Sequence, residues 1–469
     1  HTDKVHVKQF GAVADYAAGE GTDNADSFIA CALAVNDIDF GNGSYKFTKT
    51  IPFTNKHHFH GRGDSTKLYF LGVSGDWAFN QSFTGNGSDQ WPGGSQFTDF
   101  ELYGDGTGPK GTGSTVNGIR SADSTATLVN IPFISMRRLW CRNLKTAIEL
   151  EGYGHYFEEI TAYDCLIGFD ITHPEQVQFE GCWATYCDIG LQVNKRKADL
   201  GKFTYGHRFY WNGGAIQRCR IGAWIQNTLE TRISTYCELN EQHDFLMGDP
   251  ADPTNYTRGC KNILIDYNTA SPINTLAADG VTYNRIDLFA CVQARILFQD
   301  AGTSSGSTTS NVRTNGYCKY ISVEYPVETS NLSTIANPWL FNGSSSASSY
   351  AKRMDYFEER TAVVITGGDT TTGAVGSNQE LGYRFRDPFN VTLSGKIILG
   401  ASPIGTVGTL PVGVRPVGGP AHFTVPMYST SWGFAVLSIN TNGTIVISDG
   451  LGINRAIYLE ELTFPVRTL

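Results

Sequence analysis

Charge is scarce in this chain. Asp, Glu, Lys and Arg make up 17% of its 469 residues, the balance is -9 at pH 7, and no basic tract exceeds the KRK at 195–197. A protein that grips phosphate backbones needs a basic surface, so nucleic acid is excluded as a partner class. Long apolar runs are missing as well: no stretch of about eighteen apolar residues exists, and no membrane insertion is expected. The first residues show no charged-then-apolar leader, and His1 reads as a processing boundary. The ten cysteines lie scattered with no CxxC pair, unlike a small disulfide-stapled domain. Reduced thiols and folding in the cytoplasm are expected. There is no G-x-S-x-G elbow, HExxH helix, Walker loop or dinucleotide fingerprint. GNGSDQWPGG and GDGTGPKGTG are glycine-rich but precede no helix, so neither reads as a phosphate cradle; no cofactor and no metal is expected.

What the chain has instead is glycine, with 52 residues, and aromatics, at 12%. Together with abundant Ser, Thr and Asn this is the mix of an all-β protein, in which β-branched and aromatic residues fill strands and Gly and Asn serve turns. It also repeats itself. CLIGFDI at 165 returns as CDIGLQV at 187 and CRIGAWI at 219, with Cys237 as a weaker fourth member. Eight residues before each Cys stand Phe157, Phe179, Trp211 and Leu229. Two residues after it come Ile167, Ile189, Ile221 and Leu239; six after it, Ile171, Val193 and Ile225. Apolar residues at fixed offsets, at intervals of 22, 32 and 18 residues, are what stacked coils require, because each coil buries its inward residues only against its neighbours. Gly168, Gly190 and Gly222 are expected at one corner, and NKRKADLGKFTYG reads as a surface loop. The thiols in register read as a buried column, since no His stands at metal-ligand spacing to them.

The two ends differ from the middle. VHVKQFGAVAD followed by GTDNADSFIACALAV reads as a strand and a helix capped by Thr22 or Asp23, whose face of Phe28, Ile29, Ala32, Leu33 and Val35 plugs the first coil. NGSYKFTKTI at 42–51 reads as the first strand of the solenoid. Beyond residue 380 apolar and polar residues alternate, and Asn442-Gly443 marks a hairpin. GTSSGSTTSN at 302–311 and NGSSSASSY at 342–350 read as loops or linkers. The expected architecture is a right-handed parallel β-helix with a short N-terminal capping helix and a C-terminal β-sandwich. Its expected parts are a strand and capping helix over 1–45, the β-helix over 46–345, a linker over 346–380 and the sandwich over 381–469.

The N-terminal motif, F-G-A then T-D-x-x-x-S-F, resembles the opening of pectate-lyase-like right-handed β-helix proteins. IGTVGTLPVGVRP resembles the G-T-L-P-x-G-x-R-P segment of trimer-forming, receptor-binding tips in bacteriophage tail proteins. Taken together the chain resembles the bacteriophage tailspike family, homotrimeric enzymes of the virion tail that degrade capsular polysaccharide or lipopolysaccharide O-antigen. That resemblance implies a homotrimer, a bacterial surface polysaccharide as partner, and attachment to a phage tail or adaptor protein. The large virion-attachment domain of many tailspikes is absent, so the chain reads as a fragment or as a binder of an adaptor.

Chemistry is expected on the outer wall of the solenoid. One residue after each inward aromatic stand Glu158, Glu180, Asn212 and Glu230, pointing outward by strand alternation. With coils ~4.8 Å apart, Glu158 and Glu180 match the ~5 to 5.5 Å of retaining glycosidases, and Glu180 and Glu230, two coils apart, approach the ~6.5 to 9.5 Å of inverting ones. Glu158, Glu180 and Glu230 are therefore the candidate acid and nucleophile or base; the bland alternative is a column that simply faces water. Asp164, Asp170, Glu238, Glu241 and Asp244 are rival carboxylates. Trp183, Tyr186, Tyr210, Trp224 and Tyr236 are candidate sugar platforms, with Trp211 assigned to the core. His207, Arg208 and Arg232 add polar and cationic groups. The expected reaction is endo-glycosidic hydrolysis. One alternative is a lyase, in which His207 or Tyr210 removes the proton beside a uronate carboxylate that Arg232 neutralises; another is a glycan-binding adhesin without chemistry.

Overall fold

Short runs of alternating apolar and polar residues stack in the computed structural model as parallel strands. The described residues run from 4 to 465, outside 82–93, 123–132, 196–205, 270–284, 302–311, 325–338, 343–360, 363–370, 373–381 and some shorter stretches. Two compact units result, His1–Ser344 and Ser345–Leu469. In the first, successive strands hydrogen-bond in parallel to the strands one coil before and one coil after. This fits a right-handed parallel β-helix, the hand that parallel crossovers take almost without exception.

The inward column explains the repeats. Ile38, Phe59, Phe97, Met136, Phe157, Phe179, Trp211, Ile233 and Ile265 stand in register from coil to coil, and all are buried. The Phe157 and Phe179 rings stack at 4.2 Å and 8°, and Phe179 stacks on Trp211 at 4.7 Å and 10°. A solenoid exposes this column unless each coil covers the next, so the sequence must repeat its large apolar residue once per turn.

The fourth row of the sequence alignment is corrected. Ile233, not Leu229, faces Trp211. Cys237 pairs with Ile216, and buried Asn240 takes the place expected for a thiol, its Oδ1 accepting the Cys219 N–H at 3.0 Å. Leu239 lies outside the Ile column, half-exposed, while His243 faces Ile221. A one-residue bulge on His207–Gln217, between Asn212 and Ala215, adds to the displacement. The columns Ile167–Ile189–Ile221 and Ile171–Val193–Ile225 stand as read. So does the glycine column, for a different reason from a bend: a Cβ on Gly190 would lie 2.6 Å from the Gly222 carbonyl oxygen, so the glycines permit coils to approach.

All ten cysteines are free and buried. Burial pushes the Cys165 and Cys219 thiols well up and Cys141 to about 12, so these behave as small neutral core groups.

The helix Ala25–Ala34 closes the first coil with Ala25, Phe28, Cys31 and Ala32. Phe28 reaches Phe40, Tyr45 and Phe47 at 5.1, 5.3 and 4.7 Å. Its N-cap is Asn24 rather than Thr22 or Asp23, although the Asp23 carboxylate accepts the Ala25 N–H. Leu33 points to solvent, because it sits on the helix face opposite Phe28.

In the second unit antiparallel strands form one sheet, all but Thr371–Thr372 along a single hydrogen-bonded path, around a core that includes Leu393, Val425, Leu437, Ile447 and Ile457. The expected hairpin is present: Gly443 donates to the Asn440 carbonyl at 2.8 Å with φ +87°. Thr361–Ala362 and Thr371–Thr372, inside the segment read as a linker, pair with Gly382–Asp387 and Asn390–Ile398. The Ser/Gly-rich stretch 302–311, nearly all of 342–350, and most of the loop at 194–206 lie outside the described residues. Among the described residues no helix is long and apolar enough to cross a membrane.

Candidate functional site

The residues flanking the inward column alternate outward and form a polar wall. One outward column runs Glu158, Glu180, Asn212, Ser234, Asp266. Beside it, on the other flank of the inward column, run Tyr156, Gln178, Tyr210, Arg232 and Leu264. A groove of about 370 Å³ opens over these two columns, lined by Gln178, Tyr210, Trp211, Asn212, Arg232, Ile233, Ser234, Leu264 and Asp266. The apolar floor comes from the edge of the core, and the walls carry amide, phenol, guanidinium, hydroxyl and carboxylate groups.

Three carboxylates border this groove or the coil before it, in different company. Glu158 is clamped by Arg137, with Nε 2.8 Å from Oε2 and Nη2 3.0 Å from Oε1. Glu180, directly in register with Glu158, accepts the Gln178 amide at 2.5 Å and the Asn212 amide at 2.9 Å. Glu230 accepts the Tyr210 hydroxyl at 2.8 Å and lies 3.2 Å from Arg232 and 3.6 Å from Arg208. The fourth carboxylate, Asp266, lines the groove itself.

Two phenols stay protonated here. Burial first, then the hydrogen bond and charge of Glu230, push the Tyr210 hydroxyl up. Burial, then Glu158, does the same to Tyr156. Both are donors at neutral pH rather than bases.

Of the residues singled out from the sequence, the structure brings together Glu158, Glu180, Tyr210 and Arg232, with Glu230 beside them. Glu230 is not in the Glu158–Glu180 column, where Ser234 stands in its stead; it lies two residues before Arg232. The remaining candidates lie elsewhere. Exposed Trp183 faces Thr161 on a different strand of the coil, and Tyr186 receives the Arg218 guanidinium at 2.5 Å. Tyr236 interacts with Glu238. Trp224 packs on Ile189, Ile221, Leu246 and Phe289, donates to the Gly248 carbonyl at 3.1 Å and carries Lys195 over its ring at 4.5 Å. His207 is exposed in register with Glu175, outside the groove lining.

The rival carboxylates are also placed. Asp244 is buried, raised by burial, and bonded to Asn240 at 2.7 Å. Asp170 is buried on the strand Ile167–Glu180 facing Glu149 and Gln192, and Glu241 pairs with Lys110 at 2.5 Å. Sequence reasoning missed Gln178, Ser234, Leu264 and Asp266. Their signal was the Ile in IST at 233 and again in ILIDY at 265, one residue before Ser234 and Asp266.

No protein-family profile matches the chain, and no curated protein matches it. Solved structures of low identity do resemble it. The enzymatically active domain of tailspike protein 2 from bacteriophage CBA120 aligns over 100% of this chain and 70% of its own, at 13% identity and a TM-score of 0.46. The surface adhesin PfbA of Streptococcus pneumoniae aligns over 96% and 99%, at 8% identity and 0.46. The gp42 tailspike of Acinetobacter phage vb_AbaP_AS12 aligns over 96% and 84%, at 9% identity and 0.45. No residue role, substrate or activity passes from these three to this chain.

Proposed function

We propose that the chain binds a bacterial surface polysaccharide along the outer wall of its β-helix and cleaves it by endo-glycosidic hydrolysis. The observation that carries the reading is the in-register pair Glu158 and Glu180 next to a groove whose lining holds Tyr210, Trp211, Asn212 and Arg232. Adjacent coils set the two carboxylates ~4.8 Å apart at the backbone, near the ~5 to 5.5 Å of retaining glycosidases. Arg137 holds Glu158 in a fixed orientation through two contacts, as a nucleophile requires. Glu180, held by neutral amides and closer to the groove, takes the role of acid and then base. Tyr210 and Arg232 contact the sugar, the guanidinium favouring an anionic residue.

Elimination is the weaker reading, because the raised Tyr210 hydroxyl already donates to Glu230 and is a poor base. A purely adhesive role uses the same groove without Glu158 and Glu180. We assign the chain to a phage tail as a homotrimer, held there through a tail or adaptor protein, on the resemblance of its end motifs. The deciding experiment incubates the protein with purified capsule or O-antigen. Shortened polymer with new reducing ends supports hydrolysis. An ultraviolet-absorbing unsaturated end indicates a lyase, and unchanged length leaves an adhesin.

A further inference from the structure

The same outer wall continues toward the N-terminus, where its chemistry changes. In register below Thr98, Arg137 and Glu158 stand His60 and Asp39; below Gln96, Ser135 and Tyr156 stand His58 and Asp37. Alternation puts both imidazoles of His58–His60 outward while Phe59 fills the core between them. The parallel register then sets Asp37 opposite His58 on the preceding coil.

Geometry makes these three a ligand set. One ligand atom from each of Asp37, His58 and His60 lies within 4.8 Å of the others. His60 Nε2 and Asp37 Oδ1 are 3.2 Å apart, with both side chains largely buried. That Asp37 oxygen is shut off from solvent and makes no aligned hydrogen bond. On the next coil Thr98 Oγ1 lies 2.9 Å from His60 Nδ1, the kind of outer contact that fixes a ligating imidazole with its other nitrogen free. Asp39 is diverted, since Arg62 sits 2.5 Å from its Oδ2. Exposed Lys4 faces the cluster from the preceding row.

We propose that Asp37, His58 and His60 form a zinc site joining the first two coils of the β-helix. Two imidazoles and one carboxylate are borderline-soft nitrogen and oxygen donors that suit Zn²⁺, with water completing the tetrahedron. Calcium and magnesium demand oxygen ligands and are not accommodated. A metal held between them replaces the direct His60–Asp37 contact and gives the buried Asp37 oxygen, which makes no aligned hydrogen bond, a well-directed ligand bond. The site closes the open edge of the first coils, where the helix Ala25–Ala34 is already tied to the chain by His57 Nε2 at 2.7 Å from the Ala32 carbonyl.

The test is a calorimetric titration of the EDTA-stripped full chain with ZnCl₂, repeated with CaCl₂ and MgCl₂, alongside melting curves. One zinc per chain, a higher melting temperature with zinc, and no uptake of calcium or magnesium are expected. Asp37→Asn, His58→Gln and His60→Gln should each weaken zinc binding at least about tenfold, while His422→Gln, in the second unit, should not. Melting of each variant in EDTA at the wild-type temperature separates lost binding from lost fold. Absence of zinc uptake by the wild-type chain overturns the proposal whatever the variants do. So does zinc binding that the three substitutions leave unchanged.

Discussion

Glu158 and Glu180 occupy facing positions on adjacent coils, yet one is clamped by a guanidinium and the other by two amides. Under the proposed hydrolysis, this asymmetry of partners is what distinguishes the nucleophile from the acid. Arg137 is the residue that creates the difference.

Replacing Arg137 with Ala should therefore separate chemistry from stability. Both partners are partly exposed, so the pair stabilises the fold by only ~0–1 kcal/mol. Depolymerisation should fall about tenfold or more, because a released Glu158 is no longer positioned. Full activity in a polymer-length assay would remove Glu158 from the reaction.

Arg232→Ala addresses recognition. Its guanidinium lines the groove, close to Glu230 and over the Tyr210 ring at 5.5 Å. Affinity for an anionic oligosaccharide should drop about tenfold, and its decline with added salt should flatten. Equal affinity and equal salt dependence would place the anionic group of the glycan elsewhere.

Phe179→Ala tests the stacked column. Phe179 lies between Phe157 and Trp211 in face-to-face contact with both, so truncation opens a cavity that neighbours fixed in adjacent coils cannot fill. A loss of about 3–5 kcal/mol by chemical unfolding is expected. A loss below about 1 kcal/mol would mean the column carries little of the stability.

The columns were legible in the sequence because a solenoid forces each turn to repeat what its neighbour needs. Phe157, Phe179 and Trp211 were found that way, and with them Glu158, Glu180 and Asn212. The register slipped at the next turn because a thiol served as the ruler. Asn240 replaces that thiol and satisfies backbone groups instead, while the bulge before Ala215 inserts one residue. Glu230 was consequently placed in the wrong column, and Ser234 and Asp266 went unseen. Trp183, Tyr186, Trp224 and Tyr236 were grouped with the site because they share its coils. A coil has several faces, and sequence spacing alone does not say which one an aromatic occupies once a corner intervenes.

His155 gives the fold a pH signature. It is fully buried, accepts the Ile134 N–H at 3.2 Å, and burial pushes it down to about 4. The unfolded chain binds the proton near pH 6.5 and the folded one only near pH 4. The neutral form thus contributes stability in full above about 6.5, and that contribution is lost as pH falls toward 4, about 3 kcal/mol in all. Unfolding followed from pH 7 to 4.5 should show a shallower slope in His155→Gln than in the wild type. Parallel slopes would assign the acid sensitivity to other groups.

The most direct test of the account is the Glu180→Gln variant, measured for polymer cleavage and for oligosaccharide binding in one preparation. The account predicts loss of cleavage by at least about a hundredfold, with binding and melting temperature unchanged, since Glu180 sits on the outer wall and both of its amide partners can rotate to meet a glutamine. Cleavage at the wild-type rate would contradict it.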